Sequence, residues 1–273
     1  MGYGILNFRY SAQLEKENVM GKIIAVVNQK GGVGKTTTVV NLSAALVEKK
    51  HRVLIVDIDP QGNATSGCGV LKNQVKATIY DVLVNKTDIN EAIVNAEHDK
   101  LDIVPSNMNL AGTEVELVNT KQREFILKKQ LSTIIDKYDY IFIDCPPAVN
   151  ILTINALTAA DSVLIPMQCE YYALEGLSQL VQTIGLVKKN TNRNLVLEGI
   201  LFTMYDNRTN LSAQVVKEVK THFASTVYNT KITRSVRLSE APSFGMSCLN
   251  YDPKAKGSEQ YRELAKEFIE RNK

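Results

Sequence analysis

The chain has 273 residues with 44% hydrophobic content and a formal net charge of +3. This is enough for one α/β domain with a large core, and although two small domains would also fit, no linker between them is visible. No stretch approaches the roughly 18 apolar residues of a membrane span and the N-terminus lacks the apolar core of a secretory signal, which predicts a cytoplasmic protein.

The first predicted element is a short apolar strand that leads through a glycine-rich loop into a helix. Residues 23–27 are apolar and mostly β-branched, as in a buried parallel strand. The loop that follows has glycines at 31, 32 and 34, which let several backbone N–H groups turn inward. The amphipathic helix after it directs the positive end of its dipole at the loop. This arrangement predicts a cradle for nucleotide phosphates.

Two lysines distinguish this loop. Lys35 supplies a point charge for the β and γ phosphates, and Thr36 offers a hydroxyl to Mg²⁺ at the start of the helix. The common P-loop pattern has a glycine five residues before Gly34, whereas this chain has Gln29 there and Lys30 beside it. Lys30 is either a second lysine of the cradle or a solvated surface residue. The predicted nucleotide-binding residues of the loop are Lys30, Gly31, Gly32, Val33, Gly34, Lys35, Thr36 and Thr37.

A second predicted strand, at residues 53–56, is followed by Asp57 and Asp59. Ligands of open α/β sheets lie beyond the carboxyl ends of the strands, so these carboxylates are expected to face the phosphates. An anionic side chain beside a triphosphate needs a cation, a water or a transferred proton to work with. We therefore expect Mg²⁺ coordination and water positioning here. The alternative is that Asp59 only caps the turn before Pro60.

The later part of the chain continues the alternation of strands and helices. Apolar periodicity predicts helices over residues 174–187 and 261–269. Further strands are predicted at residues 101–104, 140–143, 162–166 and 197–203, with room for crossover helices between them. The predicted fold is a doubly wound, mainly parallel α/β sheet with helices on both faces. The strand at 140–143 is followed by Asp144 in the manner of a Walker B carboxylate that holds Mg²⁺, which makes Thr36, Asp59 and Asp144 the predicted metal ligands.

The loop from Lys30 to Thr36 has the form Lys-Gly-Gly-x-x-Lys-Thr, the "deviant" Walker A pattern. In this motif the chain resembles the ParA/Soj-type chromosome or plasmid partitioning ATPases, a group that includes MinD and the nitrogenase iron protein. Segments at 166–176, 204–210 and 237–243 are similar as well, so the resemblance runs from about Met20 to the C-terminus. It implies an N-terminal extension at residues 1–19, of undecided role, and a P-loop ATPase domain at residues 20–273.

The resemblance also implies roles for individual residues in a weakly active, Mg²⁺-dependent ATPase. In the family the first lysine, here Lys30, reaches the phosphates of a partner subunit, and the aspartate at the position of Asp59 orients or deprotonates the attacking water. Together with Lys35 these are the predicted catalytic residues. The loop that rims the adenine pocket departs from the family, because Thr233 and Ser235 stand where a proline and an asparagine are usual. We expect adenine contacts from these two residues, through their side chains or their backbone groups.

The basic residues are concentrated in the C-terminal third. Residues 181–256 contain eleven basic and five acidic residues, a net charge of +6, so the rest of the chain carries −3. This distribution indicates a surface for a phosphate backbone, the alternative being scattered solvated lysines. By resemblance, Arg208 and Arg237 occupy DNA-binding positions, and we add Arg234. The family further implies an ATP-dependent homodimer that binds double-stranded DNA non-specifically at the nucleoid, and a ParB/Spo0J-type centromere-binding protein that stimulates hydrolysis.

Two other functional classes remain open. A MinD-like, membrane-recruited ATPase that positions the division machinery needs a C-terminal amphipathic helix rich in Lys and Arg. Residues 259–273, which include the last predicted helix, instead mix four acids with four bases. This favours a protein that does not bind membranes. A metabolic P-loop enzyme such as an amide or carboxyl ligase needs a further catalytic constellation, which the sequence does not show. A DNA-partitioning ATPase is therefore the predicted function.

Overall fold

The computed structural model describes residues 21–171 and 173–273, so the extension predicted at residues 1–19 lies outside the described residues. Seven strands form a single sheet in this part of the chain. They are β1 (Lys22–Val26), β2 (Val53–Asp57), β3 (Val94–Ala96), β4 (Leu101–Val104), β5 (Tyr140–Asp144), β6 (Ser162–Gln168) and β7 (Val196–Thr203). Their order is β3-β4-β2-β5-β1-β6-β7, and every neighbouring pair is parallel except β3 and β4. The prediction of a mainly parallel α/β sheet is confirmed.

The six predicted strands are all present, with ends that differ from the prediction by at most two residues. The sequence analysis did not find β3, which pairs antiparallel with β4 at the edge of the sheet. Its three residues are too few to show an alternation of apolar and polar side chains, and only Ala96 is buried. The conformation of such a short edge strand is determined by pairing with its neighbour, here β4, and not by the pattern of its own side chains.

Twelve α-helices and five short 3₁₀ segments connect the strands of the described chain. The helices are α1 (Lys35–Glu48), α2 (Asn63–Gly67), α3 (Ile79–Leu83), α4 (Ile89–Ala92), α5 (Thr113–Glu116), α6 (Ile126–Leu131), α7 (Ile151–Ala159), α8 (Ala173–Asn190), α9 (Asn210–Phe223), α10 (Val236–Glu240), α11 (Cys248–Tyr251) and α12 (Lys256–Arg271). The 3₁₀ segments are Met108–Gly112, Arg123–Phe125, Ile135–Lys137, Ala224–Thr226 and Ala241–Phe244. Within the described residues, no helix has the length and apolar character needed to traverse a bilayer.

Helices cover both faces of the sheet, as predicted, and each face has its own apolar core. Successive residues of β1 point to opposite faces, so Ala25 belongs to one core and Ile24 to the other. This is why the strand is apolar throughout. On the Ile24 side α1 packs against α12, whose Phe268 ring lies 5.7 Å from that of Phe142. On the Ala25 side α6, α7 and α8 close the core.

The order of the strands determines where a ligand can bind. From β1 the chain crosses to β2 on one side of β5, whereas from β5 it crosses back to β6 on the other side of β1. The direction of winding therefore changes at the β1–β5 pair, and in such sheets the crevice lies beyond the carboxyl ends of the strands at that point. The glycine-rich loop after β1, Asp57 at the end of β2 and Asp144 at the end of β5 all lie at this edge.

Candidate nucleotide site

Side chains from β6 and β7 hold the glycine-rich loop in place. Gly32 and Gly34 have φ angles of 71° and 85°, in the left-handed region that favours glycine. The Gln168 amide donates to the carbonyl of Gly32 over 2.8 Å, and the buried Thr203 hydroxyl donates to the carbonyl of Val33 over 2.7 Å. With these carbonyls turned outward, the neighbouring N–H groups are directed into the loop, where an anion can accept their hydrogen bonds.

Asn28 fixes the first part of the loop. Its side-chain amide donates to the carbonyl of Pro166 over 2.7 Å, and its Oδ1 accepts the backbone N–H of Lys30 over 3.0 Å. The second contact is an Asx turn, in which a side chain replaces a backbone carbonyl. Asn28 thereby anchors the loop to β6 and orients Lys30.

Lys35 lies in the first turn of α1 with its charge held inside the protein. Its Nζ donates to the carbonyl of Lys30 over 3.2 Å, and only 7% of the residue is exposed. Burial lowers the pKa of Lys35, while the negative charges of Asp144 and Asp59 act in the opposite direction. An anion in the loop would supply a further partner for this ammonium group.

Asp144 meets α1 through Thr36, whose hydroxyl donates to Oδ2 of Asp144 over 2.7 Å. The other carboxylate oxygen, Oδ1, is fully buried and accepts no hydrogen bond from the described residues. Burial, followed by the charge of Asp57, raises the pKa of Asp144 well above its usual range. A hydroxyl and an orphaned carboxylate oxygen side by side are oxygen ligands of the kind that Mg²⁺ prefers, so the residues present fit this ion.

Asp57 faces Asp144 across the β2–β5 pair, but its oxygens are engaged within the chain. Oδ1 accepts the N–H of Asp59 over 3.1 Å, and Oδ2 accepts the N–H and the hydroxyl of Thr65 over 2.8 Å and 2.7 Å. Burial raises the pKa of Asp57 to about 6. Asp57, which the sequence analysis expected to face the phosphates, instead holds the turn between β2 and α2 that carries Asp59.

Asp59 makes the turn-capping contact of one of the two interpretations that the sequence left open, and its role toward water and Mg²⁺ stays a prediction. Its Oδ1 accepts the N–H of Gln61 over 2.9 Å, which is the turn-capping contact. Its carbonyl accepts the Ser106 hydroxyl over 2.7 Å, so the backbone is fixed from a second side. The charge of Asp59 contributes to raising the pKa of both Lys35 and Asp144, which is consistent with a position near these two residues. The structure brings Lys35, Asp59 and Asp144 together.

Lys30 extends from the loop toward the start of α8. Its Nζ lies 3.9 Å from Oε2 of Glu170, and its Cε lies 3.7 Å from the point where a Cβ on Gly176 would be. A third of its side chain is exposed. Lys30 is therefore placed at the rim of the loop, where a second molecule could reach it.

Thr233 and Ser235, the residues predicted at the adenine rim, lie on a segment that pairs with the chain just after the end of β7. Thr233 pairs with Tyr205 in a parallel bridge, and both its N–H and its hydroxyl donate to Oε1 of Gln260, over 3.0 Å and 3.1 Å. Its side chain is therefore turned toward α12. Ser235 precedes α10 and makes no capping hydrogen bond with its side chain. Adenine contacts from this segment remain a prediction.

Two of the three predicted DNA-binding arginines are paired with carboxylates. Arg208 binds Asp206 with two nitrogens, over 2.9 Å and 2.7 Å, and lowers the pKa of Asp206 to about 2. Arg237 contacts Glu240 over 2.8 Å and Asp252 over 3.3 Å. Arg234 is exposed. Their DNA contacts remain a prediction.

Sequence reasoning missed the residues that support the loop from outside. Thr203 and Gln168 are more than a hundred positions from the carbonyls they bind, so no local pattern points to them. Ser106 and Thr65, which support the aspartates, are joined to each other by a hydrogen bond over 2.9 Å and are likewise distant in sequence. Asn28 could have been found, because an asparagine two residues before a glycine-rich turn favours an Asx turn.

Comparison with known proteins gives consistent matches over nearly the whole chain. A family model described as an AAA domain matches residues 21–197. The chain is 58% identical to the sporulation initiation inhibitor protein Soj of Bacillus subtilis, over 91% of this chain and 98% of that protein. It is 53% identical to the chromosome partitioning protein ParA of Myxococcus xanthus, over 93% and 89%. A solved structure described as cobyrinic acid a,c-diamide synthase from Mycobacterium smegmatis, with bound ADP and magnesium, matches with a TM-score of 0.79 and 38% identity, over 90% and 93%.

Proposed function

Because the chain belongs to the family of ParA- and Soj-type partitioning ATPases, we propose that it uses ATP hydrolysis to partition a chromosome or a plasmid. An ATP-bound pair of subunits binds double-stranded DNA without sequence specificity, at the nucleoid in the cytoplasm. A ParB/Spo0J-type protein stimulates hydrolysis of the ATP, and hydrolysis releases the subunits from the DNA. The observation that supports the ATPase part most directly is the orphaned Asp144 oxygen beside the Thr36 hydroxyl, at the mouth of a glycine-rich loop.

In this proposal the loop binds the triphosphate of ATP. Backbone N–H groups of residues 31–37 and the ammonium group of Lys35 contact the β and γ phosphates. Thr36 and Asp144 are the residues that would hold Mg²⁺, with Asp59 close by; the ion neutralises phosphate charge when it is bound. The similar structure that was crystallised with ADP and magnesium supports a nucleotide and magnesium as the ligands of this site.

Asp59 is the residue that we assign to the attacking water. Its carboxylate is anchored at Oδ1 by the N–H of Gln61 and its backbone by Ser106, so the group is positioned before a substrate arrives. A single carboxylate orients water but adds no positive charge to stabilise the transition state, and other phosphoryl-transfer enzymes gain several orders of magnitude from such a charge. Weak intrinsic activity follows, and a partner protein that remodels the site would raise it.

Lys30 is the residue that couples ATP binding to pairing of subunits. Its position at the rim of the loop, with a long contact to Glu170, leaves it able to exchange this carboxylate for the phosphates of a neighbouring molecule. An exposed ion pair at 3.9 Å contributes little, so loss of this contact with Glu170 has a small energetic cost. Two copies that each supply Lys30 would be held together by ATP and not by ADP.

The substitution Lys30→Ala tests this proposal, with Lys121→Ala, at an exposed lysine outside the site, as the matched control. Light scattering and DNA retention are measured with ATP, with ADP and without nucleotide. The parent and the control should pair and retain DNA with ATP only, whereas Lys30→Ala should bind ATP, remain monomeric and lose DNA. Pairing and hydrolysis by Lys30→Ala at the rate of the parent would contradict the role of Lys30.

The MinD-like alternative would need a membrane-binding helix at the C-terminus. The apolar side chains of α12 are buried in the core, where Tyr261, Leu264 and Phe268 pack beneath α1 and β5. Entry of this helix into a membrane interface would therefore expose the core of the domain. Pelleting with liposomes and with plasmid DNA separates the two functions, because the partitioning ATPase should sediment with the DNA alone.

The ligase alternative draws support from the relative described as a diamide synthase, at 38% identity. The relatives described as Soj and ParA are more similar, at 58% and 53%, and weigh in favour of partitioning. An ATPase that acts on DNA should hydrolyse ATP without any small-molecule acceptor, whereas a ligase should consume ATP only in the presence of its acid and amide-nitrogen substrates. A strict requirement for such an acceptor would overturn the proposed function.

A further inference from the structure

A groove of about 550 Å³ opens on the surface between α9 and the segment around residue 231. Its apolar lining includes Ala213 and Val216 of α9. Three lysines, Lys217, Lys220 and Lys231, line it together with Tyr205 and Thr221. The groove therefore concentrates three positive charges around an aromatic ring, and we call it the lysine groove.

No carboxylate in the described part of the chain neutralises the lysines of the groove. In residues 21–171 and 173–273, none of the three forms an ion pair with a carboxylate. Lys231 instead lies over the ring of Tyr205, with Nζ 4.2 Å from the ring centre. The only acidic residue of α9, Glu218, lies on a different face of the helix, where it contacts His222 over 3.5 Å.

The arginines assigned to DNA by resemblance differ in this respect. Arg208 has a bidentate contact with Asp206, so the pair carries no net charge. Arg237 lies between Glu240 and Asp252, so that group carries a net negative charge. Attraction to a polyanion depends on net positive charge, because each phosphate that is neutralised releases a counterion. The lysine groove is therefore the stronger local source of attraction on this side of the molecule.

The groove also lies close in the chain to two of the predicted DNA-binding arginines, Arg208 and Arg234. Tyr205 lies three residues before Arg208, and Lys231 lies three residues before Arg234. The two segments are joined by the bridge between Tyr205 and Thr233 and by the hydrogen bond from the N–H of Tyr205 to the carbonyl of Ile232, over 2.9 Å. The segment that carries Lys231 and Arg234 is thus hydrogen-bonded to the segment that carries Tyr205 and Arg208.

We infer that the lysine groove binds the phosphate backbone of DNA and supplies most of the charge for DNA retention. This inference rests on the proposed function and names the residues that carry its DNA-binding part. Neighbouring lysines one helical turn apart, such as Lys217 and Lys220, present their charges about 5–6 Å apart at the Cβ atoms. Duplex DNA carries one charge per roughly 1.7 Å of its axis, so all three lysines can meet phosphates at once.

The test uses the triple variant Lys217→Gln, Lys220→Gln, Lys231→Gln in the full chain. A first control carries arginine at the same three positions and keeps the charge. A second control carries glutamine at three exposed lysines elsewhere, Lys49, Lys121 and Lys266, and so has the same net charge as the triple variant. DNA affinity is measured with ATP at salt concentrations from about 50 to 200 mM on a duplex of random sequence, together with basal ATP hydrolysis and subunit pairing.

The glutamine variant of the groove should bind DNA roughly a hundredfold more weakly, or worse, at about 0.1 M salt. The slope of the logarithm of its DNA-binding constant against the logarithm of salt concentration should also be less steep. The difference should be about 0.9 for every phosphate that the parent neutralises and the variant does not. Hydrolysis and pairing should stay unchanged, and both controls should bind DNA within about threefold of the parent. If the glutamine variant binds DNA as tightly as the parent, the inference that the lysine groove binds DNA is wrong, while the proposed function stands. A parent that never retains DNA, or that retains polyglutamate but not DNA, would overturn both.

Discussion

Thr203 offers a direct test of how β7 supports the phosphate loop. The substitution Thr203→Val removes one hydroxyl while keeping the branched shape, so it leaves the carbonyl of Val33 without its donor at 2.7 Å. Thr203 and Val33 are both almost fully buried, so water does not replace the missing donor. An unsatisfied buried carbonyl costs about 1–3 kcal/mol. Since about 1.4 kcal/mol corresponds to a factor of ten, we expect nucleotide affinity to fall about tenfold.

The matched control is Thr158→Val. Thr158 is fully buried, and its hydroxyl bonds to Thr191 over 2.9 Å at the far end of α7, away from the loop. Urea denaturation should show a similar loss of stability in both variants, of about 1–2 kcal/mol. Calorimetric titration with a non-hydrolysable ATP analogue should show weaker binding only for Thr203→Val. Equal nucleotide affinity in the two variants would refute the idea that β7 holds the loop in its binding geometry.

Two further predictions concern the aspartates. Asp59→Ala should bind ATP and form a persistent ATP-bound pair while phosphate release falls at least about a hundredfold; hydrolysis near the parent rate would remove Asp59 from its role. Burial raises the pKa of Asp57 to about 6, above the roughly 3.9 of an unfolded chain, so the folded state favours the protonated carboxyl. The stability that this group contributes is therefore present below about pH 4 and is lost as the pH rises through about 6. Asp57→Asn should remove about 2–3 kcal/mol of this pH dependence in urea denaturation, and an unchanged profile would contradict it.

Features that depend on neighbours in sequence could be predicted. The loop at residues 30–36 and the acids at the ends of β2 and β5 follow from local order, because each needs only a strand, a turn and a side chain at fixed spacing. The uniform apolarity of β1 indicated that helices would cover both faces of the sheet. The pairing of Arg208 with Asp206, two residues away, was also within reach of the sequence.

Features that depend on distant segments could not be predicted. The hydroxyl of Thr203 meets Val33 across 170 positions, and Thr233 meets Gln260 across 27. The lysine groove exists only because α9 and the segment around Lys231 approach each other after folding. Short elements such as β3 and α2 are too brief for any period to show, so their conformation is determined by the partners that surround them.

The phosphate loop and the lysine groove are connected by three consecutive residues, Thr203, Met204 and Tyr205. Thr203 holds the loop at Val33, whereas Tyr205 forms a wall of the lysine groove. Met204 between them has a φ of 47°, a conformation that costs a residue with a side chain roughly 1–2 kcal/mol and that its surroundings must enforce. Three residues span at most about 10 Å of chain. One short stretch of backbone therefore supports both the phosphate loop and the wall of the lysine groove.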